Sequence, residues 1–135
     1  MKLVEVVAAI IKFDNKFLCL QRGQSQYDYV SFKYEFPGGK LEANESREEA
    51  LIREIKEELN YDIQIEQRFL TVEHRYPDFQ LLMHSYLCTA KDTHFILTEH
   101  INYKWLTVNQ LDYLDWAAAD MPIVEKLMRN SGDCG

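Results

Sequence analysis

The run from Gly38 to Tyr61, GGKLEANESREEALIREIKEELNY, constrains this chain more than any other stretch, because it joins a Gly-Gly turn to an acid-rich helix. Ser46 followed by Glu49 has the pattern of a capping box, and the apolar spacing continues to Leu59, which predicts a helix from about Ser46 to Leu59. At about 100° per residue, with Leu51 at zero, Ile55, Leu59 and Ile52 fall at about 40°, 80° and 100° and predict one apolar stripe. Glu58, Glu54 and Glu57 fall at about 340°, 300° and 240°, an arc beside that stripe. Carboxylates at i,i+3 and i,i+4 repel each other by about a few tenths of a kcal/mol per pair, and by more where one side is desolvated. A hard divalent cation removes that repulsion; Mg²⁺ suits the oxygen ligands, and Mn²⁺ is an alternative. The competing reading is a solvated helix face on which Arg47, Arg53 and Lys56 pair with the acids.

The chain has 135 residues, the size of one domain, expected over residues 1–130 with a flexible tail over 131–135. Its formal charge of −7 argues against binding a nucleic-acid polymer, which needs a basic footprint. A small nucleotide carried in with its metal remains compatible. Cys19, Cys88 and Cys134 are odd in number and lack CxxC spacing, which argues against a disulfide scaffold or zinc site and for a reducing cytoplasm. The apolar run Val6 to Ile11 is too short for a membrane span and lacks a cleavage pattern, so no membrane or export role is expected.

Leu3 to Phe13 and Lys16 to Gln21 read as a hairpin turned by Asp14-Asn15. Residues 22–35 show no clean period and read as a loop ending before the Pro37-Gly38-Gly39 turn. Strands are expected at about Ile63 to Arg75 and Gln80 to Thr89, separated by the turn Tyr76 to Phe79. A short strand near Lys104 to Leu106, a brief helix capped by Thr107 and a last helix from about Asp120 to Met128 complete a small α/β unit.

Glu45 lies six residues after Gly39, and the run Arg53-Glu54-Ile55-Lys56-Glu57-Glu58 begins eight residues later. This resembles the Nudix box, Gx5Ex7REUxEExGU, where U is a bulky aliphatic residue. Asn60 stands at the second box Gly and Tyr61 at the final aliphatic position. Asn tolerates the left-handed conformation that ends a helix, so the first departure should preserve the turn. The resemblance implies an α+β Nudix fold, an αβα sandwich around a mixed sheet.

It also implies roles. Glu54, Glu57 and Glu58 would be helix ligands for Mg²⁺ or Mn²⁺, with the Gly38 carbonyl as a further ligand. Arg53 would orient the acids through charge-assisted hydrogen bonds, and Glu45 would support them. In the MutT-like branch an acid placed like Glu99 reaches the metal cluster and is a candidate base, and an Arg placed like Arg22 contacts nucleotide phosphates; the alternatives are an exposed loop acid and an exposed solubilising Arg. The segment YEFPGGK matches the branch, so Tyr34, Glu35, Phe36, Pro37 and Gly38 would line or support the base and sugar pocket. Tyr76 takes the place of an aromatic residue near the base, with a core or turn-packing aromatic as the equal alternative. The opening EVVAAII and the late run AAADMPIV look most like the CTP pyrophosphohydrolase members. Ala118 replaces a proline common in that late run. Asp120 would read the base, with a helix N-cap as the alternative. An ionised Asp only accepts hydrogen bonds, which favours the cytosine amino group over guanine O6, whereas the members that clean 8-oxo-dGTP carry Asn there. Tyr27, Tyr29 and Phe32 read as a lid or a dimer contact, and His74, His84, His94 and His100 as structural or exposed.

The expectation is therefore a cytoplasmic Mg²⁺-dependent pyrophosphohydrolase, monomer or homodimer, that converts CTP, dCTP or a 5-substituted form to the monophosphate and pyrophosphate. The alternatives are an 8-oxo-dGTP sanitising enzyme, an enzyme acting on a sugar nucleotide or dinucleotide, and a nucleotide-binding regulator without turnover.

Overall fold

The computed structural model describes residues 1–133. Val7 to Ile11 are all buried, a continuous apolar run that fits a strand covered on both faces. That strand, β1 (Lys2–Phe13), is central to a mixed seven-stranded sheet. β2 (Lys16–Gln21) turns back from it through Asp14 and Asn15, both at positive φ, and pairs antiparallel at Lys12↔Phe17. Two short strands follow in segments where the sequence suggests loop and turn. β3 (Tyr34–Glu35) pairs antiparallel with β2, and β4 (Gly38–Lys40) pairs antiparallel with β1.

After α1 (Arg47–Leu59) come β5 (Gln64–Arg75) and β6 (Phe79–Thr89), an antiparallel pair with two irregularities in register. β6 runs parallel to β1 along almost its whole length, from Lys2↔Phe79 to Lys12↔Thr89. β7 (Asn102–Leu106) pairs antiparallel with β2 and starts two residues earlier than the sequence suggests. Two 3-10 turns, Val108–Tyr113 and Ala118–Asp120, lead into α2 (Met121–Asp133). The helix continues past Met128, where the sequence pattern predicts its end; of the 131–135 tail, residues 134 and 135 lie outside the described residues.

Alternation along β1 separates two cores. Val7, Ala9 and Ile11 pack with Leu51, Ile55 and Leu59 of α1, while Ala8 and Ile10 pack with Met83, Leu111 and the α2 residues Ile123 and Leu127. Helices therefore cover both faces of an α+β mixed sheet. No helix among the described residues is long and apolar enough to cross a membrane.

β4 exists because Gly38 has no side chain. A Cβ there would lie 1.9 Å from the Val7 carbonyl oxygen and 2.9 Å from Ala8 Cα, both backbone atoms. Gly38→Ala should therefore separate β4 from β1 and lower stability by about 2–4 kcal/mol in urea unfolding. A loss below about 0.5 kcal/mol would mean that the close approach is not required.

Candidate active site

The termini of α1 are set locally. Ser46 Oγ accepts from Glu49 N–H and the Glu49 carboxylate accepts from Ser46 N–H, completing the capping box, while Asn60 adopts φ 49° and ψ 47° and ends the helix. Ala50, Leu51, Ile55 and Leu59 are buried, but Ile52 is 44% exposed and does not belong to the stripe. The buried arc is centred between Ala50 and Leu59, so Glu54 and Glu58 lie within it rather than beside it. Ala50 is small enough to let that arc approach β4. Glu57 falls on the outer rim, its side chain 59% exposed.

Gly39 completes the cradle: a Cβ there would lie 2.2 Å from Glu54 Oε2. Arg53 holds the acids from the other side. Its Nε and one terminal nitrogen donate to the two Glu45 oxygens at 2.7 and 2.8 Å, and that same terminal nitrogen donates to the Lys40 carbonyl at 3.1 Å. The other terminal nitrogen reaches Glu54 at 2.9 Å and Glu57 at 3.2 Å. The guanidinium pulls the Glu45 carboxyl down to about 2, so Glu45 serves as a fixed anchor for Arg53.

Glu58 has the opposite environment. Burial first, and then the charges of Glu99, Glu54 and Glu35, push its carboxyl up to about 8 against the pull of the Gly38 N–H. Its Oε2 is buried without a hydrogen-bond partner among the described residues. Burial also raises Glu54, opposed by Arg53 and reinforced by Glu57 and Glu99. The carboxylates do not converge as a closed set of three among the described residues, and the Arg53 guanidinium bridges Glu54 and Glu57. An unpartnered buried oxygen, mutually repelling acids and a glycine cradle nevertheless fit a hard divalent cation. Glu54, Glu57, Glu58, Glu99 and the Gly38 carbonyl could hold it.

Beside these acids opens a cavity of about 750 Å³. Arg22, Glu35, Phe36, Gly38, Glu58, Tyr76, Glu99 and Asp120 all line it, bringing together residues from across the chain. Tyr34 and Pro37 stand behind the wall: the Tyr34 ring packs edge-on to Trp116, and the Pro37 carbonyl accepts from Ala9 N–H at 2.8 Å. Asp120 ends the second 3-10 turn, and its Oδ1 accepts from the distant Phe36 N–H at 3.1 Å instead of capping its own helix. Burial, then the Glu35 charge, push the Asp120 carboxyl well above the usual range, against the Phe36 N–H and Arg22.

The Tyr76 hydroxyl accepts from Ala119 N–H at 3.0 Å, tying β5 to the Asp120 turn. Tyr29 stacks on the Tyr76 ring at 5.1 Å, Tyr27 stacks on Tyr29 at 5.3 Å, and the Tyr29 hydroxyl donates to Asp78 at 2.7 Å. Of the aromatic loop, Tyr27 lines the cavity, whereas Phe32 is 52% exposed. His100, which sequence reasoning sets aside, also lines the cavity and bonds Glu35 at 2.9 Å. Its adjacency to Glu99 is the one sequence signal that could have marked it.

Comparison with known proteins identifies the family. The NUDIX domain family matches residues 1–127. The chain is 35% identical over 130 residues to the CTP pyrophosphohydrolase of Escherichia coli strain K12, covering 95% of this chain and 93% of that one. It is 28% identical over 129 residues to the 8-oxo-dGTP diphosphatase of the same strain, covering 96% and 99%. Among solved structures, the solution structure of the DNA mismatch repair protein MutT, a Nudix hydrolase from methicillin-resistant Staphylococcus aureus 252, superposes with a TM-score of 0.77 at 44% identity, covering 96% and 99%. With the Gly39, Glu45 and Arg53-to-Glu58 spacing present, and Gly39 and Glu58 of that run lining the cavity beside Glu99, the chain belongs to the Nudix family of hydrolases.

Proposed function

We propose that this protein is a cytoplasmic Mg²⁺-dependent pyrophosphohydrolase, monomer or homodimer, that cleaves CTP, dCTP or a 5-substituted form to the monophosphate and pyrophosphate. The observation that carries this reading is the unpartnered buried oxygen of Glu58, in the same cavity as Glu99, Arg22 and Asp120. A bound divalent ion would neutralise charge on phosphoryl oxygens and acidify a water. The protein's own groups do the rest. Arg22 meets the phosphates, Asp120 meets the base, and Arg53 holds Glu54 and Glu57 in place. Glu99 takes a proton from the water whose oxygen adds to a phosphorus flanking the α–β bridge; the bridging P–O bond breaks and pyrophosphate separates from the monophosphate.

The buried, unpaired Cys19 and Cys88 are consistent with a reducing compartment. The preference for cytidine is supported by the Escherichia coli relative and by the acceptor capacity of Asp120. The raised Asp120 carboxyl favours a second reading, because a protonated carboxyl can also donate to guanine O6; 8-oxo-dGTP is therefore the rival substrate.

Pyrophosphate release should be measured on CTP, dCTP, 5-substituted dCTP and 8-oxo-dGTP. One pyrophosphate per nucleotide is expected, with the highest kcat/KM on a cytidine nucleotide, lost on chelation and restored by Mg²⁺ or Mn²⁺. Binding without turnover across the panel would instead identify a nucleotide-binding regulator.

A further inference from the structure

His100 follows Glu99 in the segment leading to β7, and its side chain is only 6% exposed. Its Nε2 lies 2.9 Å from Glu35 Oε2, while Arg22 donates to the other oxygen, Oε1, at 3.3 Å. A carboxylate only accepts, so the hydrogen between His100 and Glu35 sits on Nε2. Nδ1 is buried without a partner among the described residues. A histidine kept only for packing would normally satisfy both nitrogens, so this ring is oriented for its bond to Glu35.

Glu35 is thus gripped from two sides. It lines the same cavity as Glu58 and Glu99 of the acid cluster and Asp120, the group proposed to read the base. The next residue, Phe36, donates its N–H to Asp120, which ties this segment to Asp120 through the backbone. In a nucleotide, the part between the phosphates and the base is the sugar, whose hydroxyls are donors. A carboxylate has about four acceptor sites, and Arg22 and His100 occupy only one on each oxygen.

We propose that His100 is a positioning residue that, together with Arg22, fixes Glu35 as the acceptor for a sugar hydroxyl of the bound nucleotide. This rests on the nucleotide reading given above and adds to it the residue that presets sugar recognition. His100 acts through Glu35. Its removal should therefore weaken nucleotide binding and KM more than kcat, and should erase discrimination at the sugar.

The test measures metal-free binding of ribo-, 2′-deoxy-, 3′-deoxy- and 2′,3′-dideoxycytidine monophosphates by calorimetry, and turnover of the matching triphosphates. The wild-type protein should prefer the hydroxyl-bearing forms over the dideoxy form by about tenfold. His100→Ala should reduce that ratio to within about twofold and raise KM about tenfold, with the smaller change in kcat. His100→Gln, which can present a donor to Glu35, should recover part of the ratio, and His100→Ala should add little in a Glu35→Gln background. If His100→Ala fails to fold by circular dichroism, His100→Leu, which fills the site without a donor, must flatten the ratio. An unchanged ratio, a loss of kcat at constant KM, or Gln behaving like Ala overturns the proposal. Wild-type protein that binds these nucleotides without sugar discrimination overturns it alone, whereas wild-type protein that binds no nucleotide overturns the parent reading as well.

Discussion

Glu58→Gln should lower pyrophosphate release by about 10³-fold and at the same time make the metal-free protein more stable at alkaline pH. The activity loss follows from removing a negative oxygen from the acid cluster. The stability gain follows from the raised carboxyl. Its ordinary value is 4.5 and in the folded protein it stands at about 8, chiefly because of burial. Between those values the folded protein retains a proton that the unfolded chain has released, so folding stability falls as pH rises through that window and stays reduced above it. Glutamine has no proton to lose. After a discount for solvent screening of a partly exposed group, the variant should exceed wild type by about 2 kcal/mol at pH 8.5 and match it near pH 4.5. Urea unfolding at both pH values in a chelator measures this, and added Mg²⁺ should narrow the gap at pH 8.5 by stabilising wild type selectively. Full turnover in the variant would remove Glu58 from the site. Lower stability at pH 8.5 would show that a group other than a bound cation compensates its charge.

Asp120→Asn should shift relative kcat/KM from cytidine toward 8-oxoguanine nucleotides by about 10- to 100-fold. The amide supplies a permanent donor together with its acceptor oxygen, and that oxygen can keep the bond from Phe36 N–H. The wild-type carboxyl presents a donor only in its protonated form. Burial and the Glu35 charge favour that form, while Arg22 and the Phe36 N–H oppose it. Discrimination by the wild-type side chain is therefore less absolute than an ionised carboxylate would give. Competition between dCTP and 8-oxo-dGTP measures the shift directly, and an unchanged ratio would place base selection in other parts of the cavity wall.

The parts of this molecule that depend on near neighbours were legible. Ser46 and Glu49 cap α1, Asn60 supplies the left-handed turn that ends it, and Asp14-Asn15 turns the first hairpin, each through bonds or dihedral preferences within a few residues. The wheel failed at Ile52 because a helical angle gives direction without saying which arc meets the sheet; Ala50 is buried and Ile52 exposed, and Gly39 leaves room for Glu54. β3 and β4 were hidden because two or three residues carry no periodicity, and their pairing is decided by strands far away in sequence. His100 was hidden for the same reason, since its partner Glu35 lies in a different segment of the chain.

The parallel ladder between β1 and β6 also governs how this molecule is made. β1 leaves the ribosome first, yet Lys2 must wait for Phe79 and Lys12 for Thr89 before the two strands can join. Such distant pairings slow folding, because loop closure must precede the contacts that reward it. Until then the apolar Val7–Ile11 run lacks its β6 partner along one edge, and that edge is open to association with other chains. Expression yield should therefore respond more to substitutions that slow the arrival of β6 than to changes of similar equilibrium cost within α1.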